Sequence, residues 1–370
     1  MQKYLKLLIL PLLMVFSVNA WGRDGIDSGT INLLKESFKQ NQDNTVISGL
    51  SVAFATDMLA NGATGTALTE LTTFLGEPLE SKNAELHEML QNLPETLQIS
   101  NSIWGNSFSV SYQSLLTDVL DVSVQPLPEN TSVINDWIAM ETQNKITKVL
   151  DVQTTSQSDL YLVNTIYFKD DWVTKFEKNG TYPETFHYLS GQDKKIPMMH
   201  NAVDIMYAEN SKLQSVKLPY KNGGFLVIYL PKQDIDFTEF MSGLSTDDLN
   251  LDYSTEYVRI VLPKFKIDKK IDVKQLFQNL GINEIFSEES MDLSGISNNP
   301  NEVPHVTKIA QKAVIEVDEE GTTAAAATVV EMKLVSTAVR QITEFVADRP
   351  FLFWVTSGDF VGFYTGNDEE

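Results

Sequence analysis

Four histidines, His87, His187, His200 and His305, are the first places to look for acid–base or metal chemistry in this 370-residue chain. They are scattered, and none has a second histidine at the spacing that sets two side chains on one helix face. His87-Glu88 lacks the following histidine that a zinc-binding helix needs. With no cysteine, thiolate metal sites and disulfides are both excluded. Neither a G-x-S-x-G nucleophile elbow nor a G-x-x-x-x-G-K phosphate cradle occurs. A triad assembled from distant residues stays open, because chain order does not fix one. On motifs alone, no enzyme, no metal site and no cofactor are expected.

The segment with the oddest composition is Glu319-Glu320-Gly321-Thr322-Thr323-Ala324-Ala325-Ala326-Ala327-Thr328. It follows the β-branched run Lys312–Val317 and leads into a mixed stretch that ends at Pro350. Alanine is the best helix former, so composition favours a short surface helix. The other reading is mechanical: small side chains let a segment enter a packed sheet as a strand without overfilling it.

Around these residues the hydrophobic pattern alternates between two periods. Helical periodicity covers 26–40, 50–61, 66–75, 82–92 and 134–150, the last placing Ile134, Trp137, Ile138 and Ile146 on one buried face. Strand-like runs are Leu160–Phe168, Leu213–Leu218, Gly224–Leu230, Val258–Ile267, Lys312–Val317 and Phe351–Val355. The continuously apolar ones fit strands buried on both faces. Helices gathered first and strands later predict one α+β unit.

Lys3 and Lys6 precede an apolar run from Leu7 to Val18 and the small-residue site Val18-Asn19-Ala20, the pattern of a secretory leader over residues 1–20. A membrane-spanning helix is the rival, but it needs roughly 20 apolar residues, and this run is shorter and contains Pro11. The expectation is a secreted, extracellular protein whose mature chain is a single domain over 21–370. The net charge of −22 becomes more negative once the leader's lysines are gone. Such a field repels nucleic acid and anionic lipid, so neither is expected as a partner. Without disulfides, stability must come from a sizeable core. Two glycosylation sequons, at Asn130 and Asn179, suit a secreted glycoprotein.

Taken in order, the motifs resemble those of the serpins, the serine protease inhibitor superfamily. Asn44-Thr45-Val46-Ile47-Ser48-Gly49-Leu50-Ser51 resembles the opening of the family's second helix, and Asn61-Gly62-Ala63 its continuation. Leu162 to Lys169, with Trp172 and Phe176, is similar to the central strand of the large sheet and the tryptophan at its top. Leu218-Pro219-Tyr220, Val261-Leu262-Pro263-Lys264-Phe265 and Asp292-Leu293-Ser294-Gly295-Ile296 resemble three further family turns and strands. Lys312 to Val317 leads into the Glu-Glu-Gly-Thr hinge, and Asp348 to Phe353 closes the likeness.

The resemblance implies a serpin fold of three β-sheets and eight or nine helices, with an exposed reactive-centre loop over about 319–345. It implies a suicide mechanism: a protease cuts the loop, an acyl-enzyme forms, and the freed arm inserts into the large sheet while the enzyme is dragged and distorted. Gly321 is expected to take unusual dihedrals there. Thr322 should be small enough to bury, and Ala324 to Ala327 should fit either face. This hinge favours an inhibitor over the alternative of a carrier, storage or chaperone serpin. Lys264 and Glu319 match a pair across the top of the sheet, near Trp172. Ser48, Ser51 and Asn164 match a polar cluster beneath its opening point, with Gln311 in place of the family's histidine and Gly49 in place of its proline. Glutamine cannot titrate, so the pH-dependent opening attributed to that histidine should be missing.

In the family the cut falls roughly sixteen residues past the hinge glutamate, a reach set by the inserting strand. That gives Val335-Ser336, with Leu334 and Lys333 as runners-up; valine suits an elastase and leucine a chymotrypsin-like slot. The implied partner is a serine protease of the chymotrypsin-like fold in covalent complex with a monomer. The family's basic helix falls at Glu80 to Gln91, where Lys82 is the sole Lys or Arg among several acids. Heparin-type binding is therefore not expected.

Overall fold

The structure, a computed structural model, describes residues 25–142, 144, 146–156, 159–299, 303–322 and 341–367. The helices and strands run in the order α1 (Ser28–Gln40), β1 (Thr45–Ser48), α2 (Gly49–Ala60), α3 (Gly65–Leu75), α4 (Leu79–Gln91), β2 (Leu97–Gly105), α5 (Val110–Asp118), β3 (Val122–Pro126), α6 (Ser132–Glu141), β4 (Asp159–Phe168) and β5 (Asp170–Asp171). They continue with β6 (Tyr182–His187), β7 (Asp193–Glu209), β8 (Leu213–Pro219), β9 (Phe225–Pro231), α7 (Phe237–Gly243), α8 (Thr246–Leu249), β10 (Ser254–Pro263), β11 (Phe265–Asp272) and α9 (Val273–Asn279). The last elements are β12 (His305–Val317), β13 (Gly321–Thr322), β14 (Thr343–Val346), β15 (Phe351–Val355) and β16 (Phe360–Tyr364).

The α+β class follows from this order, and helix placement follows local chemistry. Asp27 caps α1 by accepting from the Thr30 amide at 2.8 Å. Ser48 caps α2 by accepting from Ser51 at 3.0 Å. Helix α2 is apolar nearly all round and buried at every position except Ala53, as a helix enclosed by sheet and helices must be.

The described strands join into two hydrogen-bonded networks, one of nine strands and one of seven. The nine-stranded one holds what the resemblance counts as two sheets. Strand β7 links them, pairing with β6 and β10 along its first part and with β8 along its end. In the seven-stranded sheet, β4 lies antiparallel to β2 and parallel to β12, whose far edge pairs with β11.

The faces of β4 and β12 meet two separate cores. Leu160, Leu162, Ile166, Ile309, Ala313 and Ile315 join the main core. Tyr161, Val163, Ala310 and Val314 join a smaller cluster with Ile134 and Ile138, so α6 lies across the β4–β12 junction.

Two expectations fail locally. The apolar spacing over 134–150 is real, since Ile146, Val149 and Leu150 are buried with α6, but the helix ends at Glu141. Asn144 is left-handed with φ 61°, and Asn135 captures the returning chain. Its Oδ1 accepts from the Val149 and Leu150 amides at 3.0 and 2.9 Å, and its Nδ2 donates to the Leu150 carbonyl at 2.8 Å. Trp137 is only partly buried, edge-on to Trp104 at 6.1 Å. The run Val258–Ile267 is two strands: β10 ends on β7, the chain crosses at Lys264, and β11 begins opposite Val317 in the other sheet.

Candidate functional site

The parallel β4–β12 ladder runs from His305 opposite Asp159 to Val314 opposite Tyr167. Above it the two strands part. Strand β13 fills the gap, antiparallel to β12 through Val317 and Thr322, and antiparallel to β5, which prolongs β4, through Gly321 and Asp171. Gly321 and Thr322, near the start of the loop, are thus seated as a strand at the top of the sheet.

The seat is closely built. Gly321 is required by proximity, since a Cβ there would lie 2.1 Å from the Asp170 carbonyl oxygen. Its φ is not in the left-handed range, so the expected unusual dihedral is replaced by a close approach of backbones. Thr322 is 1 % exposed, and its hydroxyl lies 2.7 Å from that of Tyr220. Trp172 stacks on Tyr220 with centroids 4.7 Å apart. It donates from Nε1 to the Asp318 carbonyl and from its backbone amide to that of Glu320, both at 2.9 Å. Asp318 Oδ1 accepts from the Glu320 and Gly321 amides at 2.8 and 3.2 Å, which closes the turn between β12 and β13.

Two buried carboxylates carry the electrostatics. Lys264, at the point where the chain changes sheets, reaches Glu319 at 2.9 Å. Burial pushes the Glu319 carboxyl up, but hydrogen bonds, led by that of Lys264, together with the Lys264 charge outweigh it and hold it below the usual carboxylate range. Glu320 is bound by Lys175 and by Lys178, the latter at 3.0 Å, and both lysines lower its pKa. Lys175 also pairs with Asp171 at 3.1 Å, as does Lys221.

Lower down, a polar row crosses three strands on the α2 side. Asn101, Asn164 and Gln311 occupy matched positions on β2, β4 and β12. Ser51 donates to Asn164 Oδ1, Asn164 Nδ2 donates to Asn101, and Gln311 Nε2 donates to the Ser48 carbonyl at 3.0 Å. The Ser48 hydroxyl donates to the Gly358 carbonyl at 2.9 Å. All these side chains are buried, where each satisfied polar group costs little and each broken one much.

The sequence-predicted residues Glu319, Glu320, Gly321, Thr322, Lys264 and Trp172 therefore meet at the top of the sheet, and Ser48, Ser51, Asn164 and Gln311 beneath its middle. Thr323, Ala324, Ala325, Ala326, Ala327 and Thr328 lie outside the described residues, as do Lys333, Leu334, Val335, Ser336 and the segment 1–20. Asn179 is exposed on a short turn, Lys178–Gly180. Asn130 is half-buried before α6, and its Oδ1 accepts from the Ser132 amide at 3.0 Å. Of the histidines, His187 contacts Asp193 at 2.7 Å, His200 stacks on Tyr182, and His87 Nδ1 lies 2.8 Å from the Val119 carbonyl oxygen. Among the described residues, no three His, Asp or Glu side chains converge as a metal site would require, and no helix is long and apolar enough to cross a membrane.

Lys175, Lys178, Asp318, Asp171 and Asn101 were not foreseen. Apart from the Lys175–Asp171 pair, which lies outside any helix, their partners are far away in the chain or in the backbone. Tyr220 stood out only as part of a turn motif.

The family model described as Serpin (serine protease inhibitor) matches residues 25–360. Among curated relatives, antichymotrypsin-2 of Bombyx mori is 30% identical over 368 residues, covering 93% of this chain and 96% of its own. Antithrombin-III of Ovis aries is 31% identical over 341 residues, covering 85% of this chain and 73% of its own. Among solved structures, Serpin48 of the insect Tenebrio molitor superposes with a TM-score of 0.82 at 25% identity, covering 92% of this chain and 96% of its own. With the seven-stranded sheet, its seated hinge and its polar row already in place, this match makes the chain a member of the serpin family.

Proposed function

We propose that this serpin is a secreted suicide substrate for a serine protease of the chymotrypsin-like fold, cut at Val335-Ser336, with Leu334 and Lys333 as neighbouring choices. The observation that carries this is the wedge: β4 and β12 are parallel and adjacent, while β13 between their upper ends is antiparallel to β12 and to β5. An arm continuing from Thr322 would replace one parallel ladder by two antiparallel ones, and antiparallel pairing is the more stable per residue. The intact molecule would then sit above a lower free-energy state, held there kinetically.

In this scheme the protease's serine attacks the Val335 carbonyl, the bond to Ser336 breaks, and the proton passes to the departing amine. The freed arm enters with period 2, so Ala324, Ala326 and Thr328 follow Thr322 toward the main core. Thr323, Ala325 and Ala327 take the other face. None carries charge, so none opposes burial. The mature unit over 21–370 follows a leader over 1–20, acts extracellularly as a monomer without cofactor, and is glycosylated at Asn130 or Asn179. Polyanion activation has little support, because the one cation of α4, Lys82, is buried between Glu77 and Glu85.

The test is incubation of the mature protein with elastase, chymotrypsin and trypsin. Expected are a detergent-stable complex, a released peptide beginning at Ser336, and a cleaved form that melts well above the intact one. Clean cleavage with no complex and no gain in melting temperature would replace this function with a non-inhibitory one.

A further inference from the structure

The turn that clamps the hinge also carries a sequon. Phe176 donates its amide to the Glu319 carbonyl at 2.9 Å, Lys175 and Lys178 hold the Glu320 carboxylate, and Asn179-Gly180-Thr181 follows at once. Asn179 sits exposed between Lys178, which is tied to the loop's base, and Gly180, whose amide closes the turn on Glu177 at 2.8 Å. Asn130, by contrast, has its side chain engaged with Ser132.

From this placement we infer that Asn179 bears an N-linked glycan that stands over the junction where β13 is wedged between β12 and β5, and bars strands of other molecules from displacing β13. The inference rests on the secretory reading given above. Attachment joins Asn179 Nδ2 to the anomeric carbon of an oligosaccharide from a lipid-pyrophosphate donor; that carbon's bond to pyrophosphate breaks and the amide proton leaves. A large hydrated saccharide cannot follow a chain into a packed sheet, so it remains above the junction. The molecule's own arm is already seated there through Gly321 and Thr322, and has no glycan to pass. A foreign strand seeking the same backbone groups has to approach from outside.

The experiment expresses the full chain in a secreting eukaryotic cell and maps glycans on protein from the medium. Wild type, Asn179→Gln, Thr181→Ala and wild type trimmed enzymatically to a single sugar are then warmed below their melting temperatures, and oligomers are counted on native gels. Expected are a glycan at Asn179, oligomer formation at least three-fold faster in both variants and in the trimmed protein, and an unchanged rise in melting temperature after loop cleavage. A bare Asn179 on secreted protein, or equal oligomer rates in all four, overturns the inference alone. A chain that never reaches the medium overturns it together with the secretory reading.

Discussion

Gln311 on β12 lies directly opposite Asn164 on β4 in the parallel ladder, yet its amide nitrogen donates across to the Ser48 carbonyl at 3.0 Å. The side chain at the centre of the strand junction thus ties the sheet to the N-terminus of α2 with a group that carries no charge at any working pH.

Replacing it with histidine should introduce pH dependence. Burial lowers an imidazole's pKa, so its folded value falls below the unfolded one near 6.5, and stability is lost as pH drops through that interval. Gln311→His should therefore lose melting temperature relative to wild type on going from pH 8 to pH 5.5. Parallel melting curves for the two proteins would refute this.

Asp57 sets the opposite trend in the wild type. It is fully buried on α2, and burial raises its carboxyl pKa from 3.8 to about 7, with Lys82 opposing only in part. A carboxyl that stays protonated in the fold costs stability as pH rises from about 4 to about 7, by up to about 4 kcal/mol. Asp57→Asn should melt several degrees higher than wild type at pH 8 and nearly level with it at pH 4, read by calorimetry.

Glu320 behaves as an ordinary paired carboxylate, with Lys175 and then Lys178 holding its pKa below 4.5. Its contribution is present above pH 4.5 and lost as pH falls through the lowered value. Glu320→Gln should cost about 1 kcal/mol at pH 7, and that deficit should shrink steadily as an acid titration carries the wild type below pH 4.5 and through the lowered value. It should also let the cleaved arm insert faster, seen as fewer molecules cut uselessly per complex formed.

Gly49 gives a counterintuitive case, because the family's usual residue there is proline. The Gly49 amide donates to the Asp359 carbonyl at 2.9 Å, and a Cβ would lie 2.3 Å from Asp359 Oδ2 and 2.7 Å from Thr30 Oγ1. Proline supplies the clash and removes the donor. Gly49→Pro should destabilise by about 3 kcal/mol, and a denaturant midpoint at or above that of wild type would show that the Asp359 contact does not matter.

Much of the architecture was legible where one period ran unbroken. Helix α2 and strands β4, β9 and β15 carry continuous patterns, and burial of both faces follows from them. The misreadings share a cause: a pattern of burial is not a pattern of conformation. Ile146, Val149 and Leu150 stay in the core after the helix has ended, because Asn135 stitches the returning backbone into place. Likewise Val258 to Ile267 stays largely apolar and buried through a change of sheet. In the site, Lys264, Glu319, Ser48, Ser51, Asn164 and Gln311 were found through resemblance, while Asn101 was not. Lys175 and Lys178 were not, because a contact across 145 residues leaves no trace in local spacing.

The unequal covering of β4 and β12 has a wider consequence. One face rests on the main core, the other only on the small cluster beneath α6. Admitting a strand means prising apart the thin side, while the thick side keeps its contacts. On the proposed mechanism the molecule would be rebuilt along its midline without first melting, so that resistance to heat and readiness to rearrange would be governed by different sets of side chains.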